Sequence, residues 1–222
     1  AEEDQENAEL INHLAVANIS DICTQLDSWL IHISTDYVFD GCSKAPYKED
    51  DKTSPQSVYG QTKLKGELAI QSSGCKHIII RTAWVFSEYG KNFLKTIMRL
   101  GLNQNEISII ADQIGCPTYA QDIAICIKQI VPQLIFQKSS GVYHYCGYQS
   151  CSWYEFACVI SEELNSKNLR YPSIINSIET SAYPTLARRP KYSVLDCSKI
   201  KNNFNVSTSN WHDGVIQVIS KI

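Results

Sequence analysis

Two short apolar segments on either side of a helical pattern constrain the fold of this chain most strongly. Residues Trp29–Ile33 (WLIHI) and Lys76–Val85 (KHIIIRTAWV) are expected to form strands that are buried on both faces. Between them, residues 55–71 are predicted to form a helix, with Ser54 as its N-cap. Because strand, helix and strand follow one another with short connections, the pattern predicts an α/β protein with a parallel sheet.

The rest of the chain continues this alternation up to about residue 166. Helices are predicted at residues 9–26, 92–100, 122–131 and 152–164, and strands at residues 106–110 and 141–145. Ser152 and Glu155 have the spacing of a capping box, which supports the start of the last of these helices. Beyond residue 166, three prolines interrupt any long regular element.

The composition excludes several classes of protein. The 222 residues carry a formal net charge of -3, which gives no electrostatic reason to expect binding to nucleic acid or to an acidic membrane surface. No apolar run reaches the length of about 20 residues that a membrane-spanning helix needs. The 9 cysteines include no C-x-x-C pair, so we expect reduced thiols in a cytoplasmic protein. The acidic stretch Lys48–Lys52 is expected to be a solvated loop, and no metal ligand is assigned.

The sequence lacks the glycine-rich loop that normally joins the first strand and helix of a dinucleotide-binding sheet. Its 10 glycines are dispersed, and its only methionine is Met98. The predicted elements also begin with a helix instead of a strand. These features led to the expectation that the sequence begins partway through a domain, without the pyrophosphate site, and that this piece alone binds a dinucleotide weakly or not at all.

Three residues form a candidate catalytic group. Thr35 follows the first strand, at the carboxyl end where ligands bind in open α/β sheets. Tyr59 and Lys63 lie four residues apart on the predicted helix, so they share one face. An ammonium group near a phenol lowers its pKa, and such a phenol can donate a proton to a ketone that receives a hydride from a nicotinamide. The alternative, an exposed Tyr–Lys pair without a catalytic role, remains open from spacing alone.

Seven segments of the chain resemble the extended short-chain dehydrogenase/reductases and, among them, the family of dTDP-4-dehydrorhamnose reductases. They are ISTDYVFDG (33–41), PYKEDD (46–51), VYGQTKLKGE (58–67), RTAWVFSEYGKNF (81–93), ADQIGCPTYAQDIA (111–124), GVYHYCG (141–147) and TSAYPTLARRPKYSVLD (180–196). The resemblance covers nearly the whole chain. It implies reduction of the C4 ketone of dTDP-4-dehydro-L-rhamnose, with NADPH or NADH as the cofactor.

The resemblance also implies a set of site residues. Thr35, Tyr59 and Lys63 would form the catalytic triad, in which Tyr59 donates the proton and Lys63 binds the nicotinamide ribose. Ser34 would contribute to the cofactor site. The residues implied at the nucleotide-sugar site, besides Thr35, are Tyr37, Trp84, Asn92, Arg188 and Arg189. A core position for Trp84 and ordinary surface positions for the two arginines are the alternatives, and His32 and His144 are expected to be core residues.

The same resemblance implies the domain organisation. Residues 1–85 would form the rear of a Rossmann-like NAD(P)-binding domain that carries the triad. Residues 86–222 would form mainly a smaller α/β substrate-binding domain, with a segment at about 106–135 that returns to the first sheet. Some members of the family bind Mg²⁺ at a dimer contact, so Mg²⁺ and a homodimer are also expectations to test.

Two alternative functions remain from the sequence. A non-catalytic regulatory subunit with the same fold, such as the β subunit of methionine adenosyltransferase, resembles the same family. That subunit lacks the W-V-F and G-K-N-F patterns, so Trp84 and residues 91–93 favour an enzyme. A reductase or epimerase that acts on another nucleotide sugar is the second alternative.

Overall fold

The computed structural model describes residues 1–136, 140–184, 186–187 and 189–222. The helices are α1 (Gln5–Glu9), α2 (Ala15–Gln25), α3 (Val58–Ser73), α4 (Phe93–Asn103), α5 (Ala120–Ile130), α6 (Trp153–Ser166), α7 (Ser198–Phe204) and α8 (Trp211–Ser220). The strands are β1 (Trp29–Thr35), β2 (Lys76–Thr82), β3 (Val85–Phe86), β4 (Glu106–Ile110), β5 (Ile114–Gly115), β6 (Thr118–Tyr119), β7 (Gly141–His144), β8 (Cys151–Ser152) and β9 (Ile174–Ile178).

The chain divides into two compact units, each assembled from several segments. Unit 1 comprises residues 1–82, 127–145 and 185–207, and unit 2 comprises residues 83–126, 146–184 and 208–222. The segment 106–135, expected to return to the first sheet, is divided between them: it lies in unit 2 up to Cys126 and in unit 1 from Ile127. The assignment of one unit to a cofactor and the other to a substrate stays a prediction.

Unit 1 contains a parallel sheet with the strand order β1-β2-β7. The predicted burial of β2 is confirmed, since Ile78, Ile79 and Ile80 are all 0% exposed. The same prediction is wrong for β1, whose first residues are only half-buried. The reason is that β1 pairs with β2 alone and is an edge strand of the sheet formed by the described residues.

The helices of unit 1 differ from the predicted ones in two details. The helix predicted at residues 9–26 begins earlier, and a π-helical turn at Leu10–Leu14 separates α1 from α2. Helix α3 is capped by Ser57, whose hydroxyl accepts a hydrogen bond from the Gly60 amide at 3.1 Å. The predicted cap, Ser54, lies in the preceding extended segment, where its amide donates to the Val38 carbonyl at 2.9 Å.

Unit 2 is built from short two-stranded pairings around a helical core. Strands β3 and β6 pair in parallel, as do β4 and β9, whereas β5 and β8 are antiparallel. Helices α4, α6 and α8 surround a core in which Leu94, Phe156 and Val215 are fully buried. The capping box of Ser152 and Glu155 is present at the start of α6, as predicted.

The predicted fold class is therefore confirmed as α/β with parallel strands. No helix among the described residues is long and apolar enough to cross a membrane.

Candidate active site

The carboxyl end of β1 in unit 1 carries the first group of the site. Thr35 is 5% exposed, and its hydroxyl donates a hydrogen bond to Asp36 Oδ1 at 3.0 Å. The Thr35 hydroxyl oxygen also accepts a hydrogen bond from the Tyr37 amide at 3.2 Å and so caps the short 3-10 turn at Asp36–Val38. The Thr35 hydroxyl is thus held in one orientation, at the edge where parallel sheets bind ligands.

Tyr59, in the first turn of α3, lies beside Thr35. The Thr35 hydroxyl lies near enough to the phenol to act on its pKa, and the Tyr59 ring packs edge-on against Tyr37 with 5.8 Å between the ring centroids. The Tyr59 residue is 38% exposed, so it remains accessible to a ligand. The structure therefore brings together Thr35, Tyr37 and Tyr59, as the sequence predicts.

Lys63 lies one turn further along α3 and contacts the backbone of β1. Its Nζ donates a hydrogen bond to the Ile33 carbonyl at 2.6 Å and lies 3.2 Å from His32 Nε2. Burial, followed by the charge of Lys63, lowers the pKa of His32 to about 4, so His32 is neutral and accepts this hydrogen bond. His32 was expected to be a core residue, but it is half-buried and helps to hold Lys63.

The pKa of Tyr59 is raised, and Lys63 is not among the causes. Burial raises this pKa, the hydrogen bond with Thr35 lowers it, and the negative charge of Asp36 raises it further. The sequence predicted the opposite direction, on the assumption that the Lys63 ammonium acts on the phenol. In the structure that ammonium donates a hydrogen bond to the Ile33 carbonyl and lies 3.2 Å from His32 Nε2.

Asp36 is a buried carboxyl group directly beside Thr35 and Tyr59. The residue is 2% exposed, and burial raises its pKa to about 6, although the neighbouring hydroxyl groups of Ser193 and Thr35 act against this shift. Its Oδ2 makes no close hydrogen bond to any described residue. Such an incompletely paired carboxylate costs stability when it is ionised.

Asp36→Asn is therefore expected to stabilise the protein above pH 6. In the folded state the carboxyl group binds its proton up to about pH 6, whereas in the unfolded chain it ionises near its ordinary pKa of 3.8. Its contribution to stability thus falls as the pH rises from about 4 to about 6. The substitution should raise the free energy of unfolding by about 1–3 kcal/mol at pH 7.5 and by little at pH 4.

Urea denaturation at both pH values measures this difference. Asp40→Asn is a matched control, because a hydrogen bond from the Tyr47 hydroxyl at 2.6 Å lowers the pKa of Asp40. Asp40→Asn should therefore lower the free energy of unfolding at pH 7.5. If Asp36→Asn instead lowers the free energy of unfolding at pH 7.5, the Asp36 carboxylate is adequately paired in the unsubstituted protein.

A shallow surface cavity of unit 1 extends from Tyr37. Its lining residues are Tyr37, Phe39, Asp40, Gln56, Ser57, Arg189 and Pro190. Burial, and then the charge of Asp36, raise the pKa of Tyr37 to about 12, while the positive charge of Arg189 opposes them. Tyr37 is therefore an uncharged hydrogen-bonding group, and Arg189 supplies a positive charge to the same cavity. Arg188 lies outside the described residues.

Trp84 and Asn92, also predicted at the sugar site, belong to unit 2. The Trp84 indole stacks on Trp153 with 3.5 Å between the ring centroids and 7° between the planes. It also covers Gly115, where a Cβ atom would lie 2.5 Å from Cε2 of the indole. Asn92 caps α4 and donates to the Ser87 carbonyl at 2.7 Å, so its amide already has a structural role.

Ser34 and two charged residues form a buried cluster behind the triad. The Ser34 hydroxyl donates a hydrogen bond to Glu67, which also binds Arg81 through Nη2 at 2.7 Å. The proton of Ser34, a predicted cofactor contact, is thus directed to Glu67. Sequence reasoning missed Glu67 and Arg81, although an arginine in the apolar stretch IIIRT signals a buried partner. No group of three metal-ligating side chains occurs in the part of the chain that the structure describes.

Comparisons with known proteins identify the family of this chain. Residues 1–222 match the family described as RmlD substrate binding domain. The chain belongs to this family. Relatives include the dTDP-4-dehydrorhamnose reductase of Aggregatibacter actinomycetemcomitans, 41% identical over 214 residues that cover 95% of this chain and 73% of that protein. The reductase of Escherichia coli K12 is 38% identical over 224 residues, which cover 100% of this chain and 75% of that protein.

Solved structures of this family have the same fold. A dTDP-4-dehydrorhamnose reductase from Bacillus anthracis, in complex with NADP, superposes with a TM-score of 0.90 at 33% identity and covers 100% of this chain and 76% of that chain. An orthologue from Clostridium acetobutylicum has a TM-score of 0.91 at 32% identity, with 99% and 75% of the two chains covered. The Rossmann-like fold class is therefore shown, and the chain belongs to an oxidoreductase family.

Proposed function

We propose that this protein reduces the C4 ketone of dTDP-4-dehydro-L-rhamnose to give dTDP-L-rhamnose, with a nicotinamide cofactor as the hydride donor. The observation that carries the proposal is the position of Tyr59 beside Tyr37 and Thr35 at the carboxyl end of β1, in a chain whose relatives are named for this reaction. Spacing alone left an exposed Tyr–Lys pair as an alternative. The joint placement of the two hydroxyl groups favours the catalytic role.

The residues at the end of β1 suit a cofactor that carries ribose hydroxyl groups. The Lys63 ammonium has three N–H donors. Two of them are directed to the Ile33 carbonyl and to His32 Nε2. A remaining donor, together with the Tyr59 hydroxyl, can bind the hydroxyl groups of a nicotinamide ribose. When bound, the cofactor supplies the hydride that the ketone carbon receives.

Residues of this chain bind the carbonyl oxygen and donate the proton. Tyr59 holds the proton that the ketone oxygen takes up, and burial keeps the phenol protonated at neutral pH. The Thr35 hydroxyl, which donates its proton to Asp36 Oδ1 in this structure, turns that proton to the ketone oxygen when the substrate binds and so aligns the oxygen with Tyr59. Lys63 binds the ribose through its remaining N–H donor.

We assign the nucleotide-sugar contacts within each unit separately. In unit 1, Tyr37 and Arg189 line the cavity described above, where the arginine suits a diphosphate group. Arg188 is proposed beside it from the family motif alone. In unit 2, the stacked indole of Trp84 offers an apolar face to a sugar, and Asn92 orders the start of α4 nearby in sequence. We propose unit 1 as the cofactor unit, which also contributes Tyr37 and Arg189 to substrate binding, and unit 2 as mainly a substrate unit.

The proposal also covers which nicotinamide cofactor is used and how the protein assembles. The Bacillus anthracis relative in complex with NADP supports NADPH as the first cofactor to test, with NADH as the second. Mg²⁺ and a homodimer remain proposals from the family resemblance. Sedimentation of the protein with and without Mg²⁺ would test both of them together.

The decisive experiment follows the oxidation of NADPH by the native full-length protein with dTDP-4-dehydro-L-rhamnose as substrate. Turnover with dTDP-L-rhamnose as the product is expected. Turnover with other 4-keto nucleotide sugars, but none with this one, would identify a related reductase instead. A folded, cofactor-bound protein that turns over no such sugar would support the regulatory-subunit alternative.

A further inference from the structure

We infer that the buried pair of Glu67 and Arg81 positions α3 against the end of β1, so that Tyr59 and Lys63 meet Thr35 in the geometry that the reaction needs. This inference rests on the proposed function and deepens it. Glu67 and Arg81 are positioning residues, since neither is expected to touch the substrate or the cofactor.

Glu67 is fully enclosed and its carboxylate is saturated with donors. The residue is 0% exposed, and Arg81 is 3% exposed. Arg81 Nε lies 3.0 and 3.2 Å from the two carboxylate oxygens, and Nη2 donates to Oε2 at 2.7 Å. The Ser34 hydroxyl supplies a further hydrogen bond to Oε1. Bidentate contacts of this kind fix direction as well as distance.

These contacts join the three elements that carry or flank the triad. Glu67 lies four residues after Lys63 and eight after Tyr59, so the three side chains share one face of α3. Ser34 immediately precedes Thr35 on β1. Arg81 is the register partner of Ser34 on β2. A shift of α3 along the sheet would therefore break the Glu67 contacts at the same time as it separated Tyr59 from Thr35.

The far side of Arg81 is fixed as well. Its guanidinium carbon lies 5.1 Å from the centre of the Phe39 ring, and Nη1 lies 3.4 Å from the Glu49 carbonyl oxygen. Phe39 itself stacks on Tyr47 with 4.2 Å between the ring centroids. Arg81 is therefore held by contacts on both sides, and its bonds to Glu67 fix the position of α3 relative to β2.

Stability alone does not account for a buried charge pair at this place. Removing two charges from water costs free energy that their attraction only partly returns, and well-packed apolar residues often replace such pairs without loss. Apolar contacts are non-directional, however, and leave a helix free to slide over a sheet. What the ion pair adds at this place is a defined register of α3 on β1 and β2.

The experiment compares the single variants Glu67→Leu and Arg81→Met with the double variant that carries both. Each single variant leaves a buried unpaired charge and should be clearly destabilised. The double variant should regain much of the thermal midpoint, yet its kcat should stay about 10- to 100-fold below that of the wild type, because a misplacement of about 1 Å in the site has that effect. KM for the nucleotide sugar should change little.

Lys65→Met is the matched control on the same helix. Lys65 forms an exposed ion pair with Glu9 at 2.8 Å, so its loss should leave kcat unchanged. Recovery of kcat together with stability in the double variant would overturn the inference and make the pair purely structural. If the wild type itself shows no turnover, the proposed function fails. A crystal structure of the double variant then decides the inference, which requires α3 to be displaced relative to β1.

Discussion

Tyr59→Phe is expected to lower kcat by about 10³-fold while the affinity for the nucleotide sugar stays nearly unchanged. General acid catalysis by a positioned side chain contributes about 10²- to 10⁴-fold, and the substitution removes only the phenolic hydroxyl that contacts Thr35. The ring remains and keeps its edge contact with Tyr37. The measurements are steady-state NADPH oxidation and calorimetric binding of the nucleotide sugar.

Tyr37→Phe is the matched control, because it removes a second phenol from the same cluster. Tyr37 lines the cavity together with Arg189, so its side chain is assigned to binding and not to proton transfer. Its substitution should raise KM more than it lowers kcat. If Tyr59→Phe keeps wild-type turnover, another group donates the proton and the assignment of Tyr59 is wrong.

The raised pKa of Tyr59 determines the expected pH dependence of this step. Because the donor must be protonated, kcat should be constant through neutral pH and should fall only at alkaline pH, once the phenol ionises. A phenol with a lowered pKa, as the sequence alone suggested, would lose activity nearer to neutrality. The difference arises because burial and the charge of Asp36 raise the pKa of Tyr59, and helical spacing reveals neither of them.

The fold was most predictable where one local pattern determines one structure. The apolar run of β2 and the capping box of Ser152 and Glu155 are local signals, and both are confirmed. The predicted burial of β1 failed because an edge strand and a central strand can have the same apolar sequence. The π-helical turn at Leu10–Leu14 has no distinct local signal, since its residues fit an ordinary amphipathic helix equally well.

In the site, sequence reasoning found the residues with reactive groups and missed those that hold them. Thr35 and Tyr59 were predicted from a strand end and a helix, and the structure brings them together. Asp36 and Glu67 were not assigned, and His32 was expected in the core, because their roles depend on which side chain from another element meets them. Glu67 could have been suspected from its position four residues after Lys63, on the same helical face.

Gly60→Ala is expected to disable the site although the substitution favours helix formation. An alanine is better than glycine in a helix by about 1 kcal/mol, yet a Cβ atom at Gly60 would lie 2.2 Å from the Tyr37 carbonyl oxygen. It would also lie 3.0 Å from Cβ of Pro55. Since Cβ has no rotamer that avoids a backbone oxygen, the first turn of α3 must move away from the 3-10 turn.

That movement displaces Tyr59, the neighbouring residue, from Thr35. We expect kcat to fall by about 10²-fold or more and the free energy of unfolding to fall by about 1–3 kcal/mol, as measured by NADPH oxidation and urea denaturation. Gln61→Ala, at the exposed next position of the same turn, should change neither quantity appreciably. Wild-type kcat in Gly60→Ala would mean that the contact of Tyr59 with Thr35 tolerates a displaced helix, and the precise placement of the phenol would then not limit the reaction.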